Sequence, residues 1–349
     1  MPYTTINKSL DYFNTVLYTG NGASTHQITG VGFQPDWNWH KIRNDTDWHM
    51  VNDAVRGANY AIYPNATNAQ GNVPTGLKSF DSDGFTVGSL PDSNQNNGNF
   101  VSWNWKANGQ GSSNTDGSIN TTYTSANTTA GFSIIQYTGN GSAGATIGHG
   151  LGTVPKMFIV KKISSTGAWN VYHEKIGNTG GISLDLTGGT DTNIRYWNNT
   201  SPTSSVLSLG SSSQVNGSGV TYICYVFSEK QGYSKFGSYT GNNNADGAFV
   251  YTGFKPAFLM VKYTGAGQNW IIIDNKRNTY NLISAGDSLN LRPNTSDAEQ
   301  TSNGIDLLSN GFKCRSSDGD SNGYTTPYIY MAFAEAPLVG SNNVPCTAR

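Results

Sequence analysis

The chain has few charged residues and no excess of basic ones. Charged residues make up 12% of its 349 positions, and 21 lysines and arginines are balanced by 22 acidic residues. A protein that binds nucleic acid needs a basic surface that displaces counterions from phosphates. The sequence therefore predicts no nucleic-acid partner.

Long apolar runs and a secretory leader pattern are also lacking. No stretch approaches the roughly 20 apolar residues that a membrane-spanning helix needs, and the first residues show no basic segment followed by an apolar one. We therefore expect a soluble chain that is not exported by a signal peptide and does not insert into a membrane.

Cysteine is scarce and the histidines are scattered. Cys224, Cys314 and Cys346 form an odd set without CxxC spacing, and the five histidines lack metal-ligand spacing. This pattern is typical of buried thiols in a protein made in a reducing cytosol. It predicts no disulfide framework, no metal site and no cofactor.

Glycine is abundant, with 42 residues, and it occurs among many Ser, Thr and Asn residues. Apolar residues recur at every second position between these turn residues, which is the pattern of β-strands. The sequence predicts an all-β fold of antiparallel β-sandwich domains, of jelly-roll or lectin-like type. The best candidate for a short helix is the segment from Thr295 to Ser302.

An internal repeat organises the chain. The phrase YTGNG at residues 18–22 returns at 137–141 and, as YTGNN, at 239–243. Each copy is followed by a proline, a lysine and a tryptophan at nearly constant spacing: Pro35, Lys41 and Trp48; Pro155, Lys161 and Trp169; Pro256, Lys262 and Trp270. Repeats of this length predict three tandem domains, arranged as beads.

The repeat sets the predicted domain boundaries. Residues 1–106 form the first repeat, 131–230 the second, and 231–349 the third with a C-terminal tail. Residues 107–130, rich in Gly, Ser, Thr and Asn, are predicted to be a flexible or extended linker. The polar segment from Pro2 to Asn14 is predicted to be an extended docking arm.

Alignment of the repeats also predicts which side chains are buried. Trp37, Trp39, Trp103 and Trp105 occupy positions that are apolar in the other copies, so we expect them in a core. Asn38 and His40 lie on the opposite face of their strand, where the other copies are apolar. The first repeat is therefore expected to be less covered than the other two.

The motifs that suggest chemistry have structural explanations. Asp53 and Arg56 align with Asp274 and Arg277, which predicts a structural ion pair on a loop. The phrase DGDSNG at residues 318–323 matches half of a calcium loop but lacks its final glutamate, so we predict an Asx-rich turn. Trp197, in a polar loop without counterpart in the alignment, is predicted to be exposed and to bind a ligand such as a sugar.

Several phrases of the chain are similar to those of a known family. DYFNTVLYTGNG, GVGFQPDWNW, SFDSDGFTVGS, GFKPAFLMVKY and YIYMAFAEAP resemble the repeated β-domains of tail-associated and fibre-like proteins of bacteriophages, especially those of marine bacteria. The resemblance covers all three copies. It implies a virion protein and no catalytic residue.

Taken together, these patterns predict a non-enzymatic phage structural protein in a tail fibre or tail appendage that contributes to host-surface attachment. It would be made in the host cytoplasm, form a homo-oligomer, bind other virion proteins through the N-terminal segment and contact host surface glycans. One alternative is a head or capsid accessory protein. Another is a polysaccharide-degrading enzyme with two carboxylates in one cleft, for instance Asp185 and Asp191.

Overall fold

A computed structural model describes residues 3–281 and 288–339 of the chain. Cys346 and the end of the predicted C-terminal tail lie outside the described residues. The strands pair antiparallel in layered sheets, which confirms the predicted all-β fold and its sandwich character. None of the described helices is long and apolar enough to cross a membrane.

The first repeat begins with a 3₁₀ turn at Ser9–Asp11. Its further elements are β1 (Phe13–Thr19), β2 (His26–Thr29), β3 (Trp37–Ile42), β4 (Met50–Asp53), β5 (Tyr60–Ala61), β6 (Gly71–Asn72), β7 (Leu77–Asp81), β8 (Gly84–Val87), α1 (Pro91–Asn94) and β9 (Asn99–Trp105).

The second repeat and the segment before it contain β10 (Tyr123–Asn127), β11 (Phe132–Thr138), β12 (Ala145–Gly148), β13 (Met157–Lys162), β14 (Trp169–His173), β15 (Gly180–Ser183), β16 (Asp191–Thr192), α2 (Ile194–Trp197), β17 (Val206–Leu209), α3 (Ser213–Asn216) and β18 (Thr221–Phe227). The third contains β19 (Ser234–Thr240), β20 (Phe249–Tyr251), β21 (Phe254–Tyr263), β22 (Trp270–Asp274), β23 (Leu289–Asn290), β24 (Gln300–Thr301), β25 (Ile305–Leu308), β26 (Gly311–Cys314) and β27 (Pro327–Pro337).

Each repeat contains an inner and an outer sheet. The strand order of the inner sheet is β1-β9-β3-β4 in the first repeat and β19-β27-β21-β22 in the third, and β11-β18-β13-β14 forms the same unit inside a larger sheet of the second. The outer sheets are β2-β8-β7, β12-β17 and β20-β26-β25. The second repeat therefore has one outer strand fewer than its neighbours.

The inner faces of all three sheets meet in one hydrophobic core. Trp37, Trp39, Trp103 and Trp105 of the first repeat lie in it, as predicted, and they pack with Tyr225 and Phe227 of the second repeat and with Phe258 and Phe333 of the third. The three repeats thus surround a shared core and are not separate beads. The boundaries drawn from the sequence stay predictions.

Hydrogen bonds between the repeats close this arrangement into a ring. Three equivalent side chains each bond a backbone carbonyl of the neighbouring repeat: Trp169 Nε1 to Tyr63 (3.0 Å), Trp270 Nε1 to Ser183 (2.9 Å) and His49 Nε2 to Arg292 (3.1 Å). The second repeat bonds the first, the third bonds the second, and the first bonds the third. His49, and not Trp48 as the alignment placed it, is therefore the counterpart of the two tryptophans.

Two segments expected to be extended or flexible are folded onto the ring. In residues 107–130, β10 pairs with β11, and the Asp36 carboxylate accepts the amide protons of Ala107 (2.7 Å) and Gly109 (3.1 Å). The N-terminal segment packs on the third repeat, where the Tyr3 hydroxyl donates to the carbonyl of Gly253 (2.6 Å). Ile6 lies in the shared core. The segment predicted to be an extended docking arm therefore packs against the third repeat and the shared core, and its docking role stays a prediction.

The predicted helix from Thr295 to Ser302 is also wrong. No helix forms there: Thr295 is in a bend, residues 296–299 are irregular, and Gln300–Thr301 form strand β24. The Glu299 amide donates to the carbonyl of Arg43 in the first repeat (2.7 Å), and the Glu299 carboxylate accepts two bonds from the Arg43 guanidinium. These bonds to the first repeat occupy both the backbone and the side chain of Glu299, and they outweigh the local helix preference.

The first repeat is not less covered than the others. Asn38 and His40 are fully buried between the inner and outer sheets. Asn38 Nδ2 donates to Ser102 Oγ (2.9 Å) and to Asn104 Oδ1 (2.8 Å). The polar face that seemed to indicate solvent is instead a hydrogen-bonded layer inside the sandwich.

Candidate functional site

The three Tyr-Thr-Gly phrases form structural corners. The hydroxyl of each tyrosine donates to a backbone carbonyl near the end of its repeat: Tyr18 to Ser93, Tyr137 to Val215 and Tyr239 to Ser321. The following loop turns at a residue with positive φ, which is Gly22, Gly141 or Asn243. Asparagine tolerates this conformation better than other non-glycine residues. The phrase is therefore a turn and not a ligand-binding loop.

The three aligned lysines also have a structural role. Lys41, Lys161 and Lys262 are fully buried, and burial lowers the pKa of each to about 8. The ammonium groups of Lys161 and Lys262 donate to the carbonyls of Thr67 and Thr187 in the preceding repeat. Lys161 and Lys262 therefore join neighbouring repeats, whereas the ammonium group of Lys41 donates to the carbonyls of Ile42 and Asp45 in its own repeat.

The aligned Asp–Arg pairs are buried ion pairs, as predicted. Arg56 Nε lies 2.6 Å from Asp53 Oδ2, and Arg277 Nε lies 2.6 Å from Asp274 Oδ2. Each carboxylate also accepts a bond from another repeat, since the Tyr225 hydroxyl reaches Asp53 (2.7 Å) and the Trp103 indole reaches Asp274 (3.0 Å). These titratable groups are engaged in joining repeats.

His173 takes the equivalent position in the second repeat. Its Nε2 lies 3.2 Å from the carbonyl of Tyr330 in the third repeat. Burial lowers its pKa to about 4, so the imidazole is neutral at pH 7 and donates this bond. His173 thus joins the second repeat to the third at the position that Asp53 and Asp274 occupy in the other two repeats.

The DGDSNG segment is a turn. The Asp318 carbonyl accepts the amide protons of Asn322 and Gly323 (2.7 Å each), and the Asp320 carboxylate accepts bonds from the Asn269 amide (2.7 Å) and the Arg292 guanidinium (3.0 Å). Within residues 3–281 and 288–339, no group of three or more His, Cys, Asp or Glu side chains is placed to hold a metal ion.

Trp197, predicted to be exposed, is fully buried. It closes the short helix α2, its indole Nε1 donates to the carbonyl of Gly180 (2.9 Å), and its ring packs edge-on against Phe158 at 4.8 Å. The expectation of exposure is wrong because this ring fills the outer layer of a repeat that has one outer strand fewer. Trp197 therefore cannot offer its face to a ligand in this conformation.

A cavity of about 330 Å³ opens beside this helix. The residue next to Trp197, Tyr196, lines it, and the Tyr196 hydroxyl donates to Asp191 Oδ2 (3.1 Å). The amides of Asn170 and Gln214 contribute polar groups, and Leu186, which is 51% exposed, contributes an apolar one. The segment RYWNNTS does contain an aromatic side chain that lines a cavity, but that side chain is Tyr196 and not the neighbouring Trp197.

The cavity lies at the seam between the second and third repeats. The Thr190 amide donates to the carbonyl of Thr264 in the third repeat (2.8 Å). A Cβ atom at Gly189, which lines the cavity, would approach the backbone of Gly265 to 2.7 Å. Glycine is required at this close approach, so the cavity wall depends on ring closure.

The two carboxylates that the enzyme alternative requires do not both line this cavity. Asp191 lines it, whereas Asp185 is buried, accepts the Trp169 amide proton at Oδ1 (3.0 Å) and has its pKa raised by burial. Among the residues that line the cavity, Asp191 is the single acid. The arrangement offers hydrogen bonds and apolar contact and lacks an acid–base pair of the kind that glycoside hydrolysis uses.

A second cavity, of about 310 Å³, lies between the N-terminal segment and the third repeat. It is lined by Tyr3, Glu229, Lys235 and Tyr251 among others, and Glu229 and Lys235 pair across 3.2 Å. Tyr251 and its neighbour Phe249 are about half exposed. Tyr3 of the predicted docking segment and Tyr251 of the third repeat thus line the same cavity.

The fold and these sites define a class of protein: a closed ring of three β-repeats whose buried charges join the repeats. Residues 8–337 match the family described as Domain of unknown function (DUF7483), and the chain belongs to that family. The match spans all three repeats, as expected when they share one core. No curated protein and no solved structure matches the chain.

Proposed function

We propose that the chain is a non-enzymatic structural protein of a phage virion, located in a tail fibre or tail appendage that attaches to the host surface. The resemblance of its repeated phrases to phage tail-associated domains supports this proposal. So does the use of its buried charged residues, because Asp53, Arg56, Asp274 and Arg277 are fully engaged in ion pairs and in bonds between repeats.

The observation that carries the proposal is the closed ring. Its seams are formed by indole, imidazole and ammonium groups that bond backbone carbonyls of the neighbouring repeat. Such a scaffold fixes the positions of its surface loops, which suits a part that must hold its shape during contact with a cell. Several copies would raise the strength of attachment by multivalency.

We further propose that the protein is made in the host cytoplasm, assembles as a homo-oligomer and joins other virion proteins at the face that the N-terminal segment forms with the third repeat. Tyr251 and Phe249 expose apolar area beside this segment, and such area is typical of a protein contact. A virion protein bound at this face would cover the exposed apolar area and displace water from it.

Electron microscopy of intact virions that carry an epitope tag on this chain tests the proposal. We expect antibody-linked gold at the tail, in several copies per particle. Label on the head would show the head accessory alternative to be correct, and label absent from virions would overturn a virion role. Shortening of host surface polysaccharide by the purified chain would overturn the non-enzymatic part.

A further inference from the structure

The second repeat differs from the other two at one place in its outer layer. Strand β14 contains Asn170, which faces Val160 across the ladder. The equivalent positions are Met50, opposite His40, and Ile271, opposite Val261. All three side chains are buried, but the asparagine is polar where the other repeats are apolar.

The missing third outer strand explains this difference. In the first repeat, Met50 lies under Gly76, which precedes β7. In the third, Ile271 packs in one cluster with Ile305 and Leu307 of β25. The second repeat has no equivalent strand, and its outer sheet is β12-β17 alone. The cavity beside Tyr196 and Asn170 occupies this uncovered part of the inner sheet.

The groups around this cavity have the chemistry that recognises sugars. The Asp191 carboxylate can accept from sugar hydroxyls and Gln214 Nε2 can donate to them. Asn170 Nδ2 and Gln214 Oε1 bond the backbone and hold the polar wall in place. Tyr196 supplies an aromatic ring and Leu186 an exposed apolar side chain for the C–H faces of a sugar ring. A volume of about 330 Å³ is at the small end of ligand pockets. It therefore fits one or two sugar units better than a long chain.

The charge of the cavity further restricts the kinds of sugar that it can bind. Asp191 is the single charged residue among those that line it, and its carboxylate is fixed by the Tyr196 hydroxyl. A like charge on the ligand would be repelled, so acidic sugars are disfavoured. A neutral sugar can donate hydroxyl protons to the carboxylate, and the exposed Leu186 side chain can take an apolar substituent such as an N-acetyl methyl group.

We propose that the cavity formed by Asn170, Leu186, Asp191, Tyr196 and Gln214 is a binding site for a neutral saccharide, with N-acetylhexosamines preferred. This inference rests on the proposed function, because a surface glycan of the host cell is the source of such a ligand. Within residues 3–281 and 288–339 the site is present once, since the first and third repeats cover the equivalent area with a third outer strand.

Saturation-transfer NMR and titration of the full chain with N-acetylglucosamine, methyl glucoside and N-acetylneuraminic acid test the inference. We expect binding of the two neutral sugars and none of the acidic one. Asp191→Asn replaces a charged acceptor by a neutral amide, and Tyr196→Ala removes the aromatic ring and the hydroxyl that fixes Asp191, so each should weaken neutral-sugar binding about tenfold. Asp191 is exposed, so its variant should fold normally.

Tyr280→Ala, at an exposed tyrosine that lines neither of the two cavities, is the matched control and should bind as the unmodified chain does. Absence of neutral-sugar binding, or equal binding by the unmodified chain, Asp191→Asn and Tyr196→Ala, would overturn the site. Gold label at the tail together with either result would leave the proposed function standing, so the two failures are distinguishable.

Discussion

The first and third repeats share strand order and register, yet the central strands of their inner sheets present opposite kinds of side chain to the outer sheet. In the first repeat, Asn38 pairs with Asn104 across the ladder. In the third, Leu259 pairs with Ala332 at the equivalent place. Both pairs are buried. Asn38 bonds Ser102 and Asn104, and His40 stacks on Phe85 of the outer sheet. The outer sheet contributes apolar side chains in both repeats.

This comparison shows which part of the repeat determines the fold. The inner faces are apolar in all three repeats because they form the shared core. The apolar side chains between the inner and outer sheets form clusters separate from that core, and this layer can be polar where its groups are paired. Similar inner faces and variable outer layers explain how one repeat can carry a cavity while the other two do not.

Removal of the aspartate from each buried ion pair should give the largest difference in the free energy of unfolding between the two repeats. Asp53→Ala leaves the Arg56 guanidinium with the carbonyls of Val51 and Tyr60, so we expect a loss of about 3–5 kcal/mol in the free energy of unfolding. Asp274→Ala should cost less, because Arg277 keeps Glu299 at 3.0 Å. Denaturant unfolding of both variants measures the difference.

Glu299→Gln serves as the control for this pair. It should enlarge the cost of Asp274→Ala and leave the cost of Asp53→Ala unchanged, because Glu299 bonds Arg277 and Arg43. Equal costs for the two aspartate variants would mean that the extra carboxylate has no effect on the third repeat.

A polar residue placed in the apolar layer gives the next largest effect. Leu259→Asn buries an amide without a partner and removes apolar contact, for a loss of about 2–4 kcal/mol. Ala332→Asn adds the facing amide and imitates the Asn38–Asn104 pair. In a double-mutant cycle measured by denaturant unfolding, the double variant should be more stable than the sum of the single losses predicts. Strict additivity would show that facing amides alone do not create the polar layer.

The sequence predicted the parts of this fold that depend on local pattern. The repeat, the strands and the buried tryptophan face follow from spacing and alternation, and the Asp53–Arg56 pair follows from alignment. The closure of the repeats into a ring could not be predicted from the sequence. The bonds between repeats are accepted by backbone carbonyls such as those of Tyr63 and Ser183, and every residue has such a carbonyl whatever its side chain. The burial of Trp197 depends on a missing outer strand, which a polar loop composition conceals.

Acid should affect the first repeat more than the third. Burial lowers the pKa of His40 to about 3 and holds the pKa of His49 well below its usual range, whereas the third repeat contains no histidine. A lowered folded-state pKa contributes stability above the unfolded value near 6.5, and that contribution is lost as the pH falls towards the folded value. Each such histidine should reduce the free energy of unfolding by about 1.4 kcal/mol per pH unit below 6.5. Burial and the nearby Asp47 raise the pKa of Asp92 to about 7, so this carboxyl stabilises the folded chain as the pH falls and offsets about one of the two histidines.

Measurement of unfolding between pH 7 and 5 tests this difference. His40→Gln should reduce the slope of the free energy of unfolding against pH by the equivalent of about one proton. The substitution removes a group that takes up a proton at a higher pH in the unfolded chain than in the folded chain. Hydrogen exchange at pH 5 should show opening in the first repeat before the third. Simultaneous opening of both would indicate that the shared core makes the ring a single cooperative unit, in spite of the uneven distribution of histidines.

The smallest effect is expected at Trp48. The sequence aligns it with Trp169 and Trp270, but Trp48 is 37% exposed and packs edge-on against Tyr63 at 4.8 Å, while His49 makes the seam bond. Trp48→Ala should cost about 1 kcal/mol, the worth of one aromatic contact, against about 3–5 kcal/mol for Trp169→Ala in the core. Thermal and denaturant unfolding of the two variants compare these costs. A loss at Trp48 as large as that at Trp169 would show that the first repeat closes the ring through the tryptophan and not through the histidine.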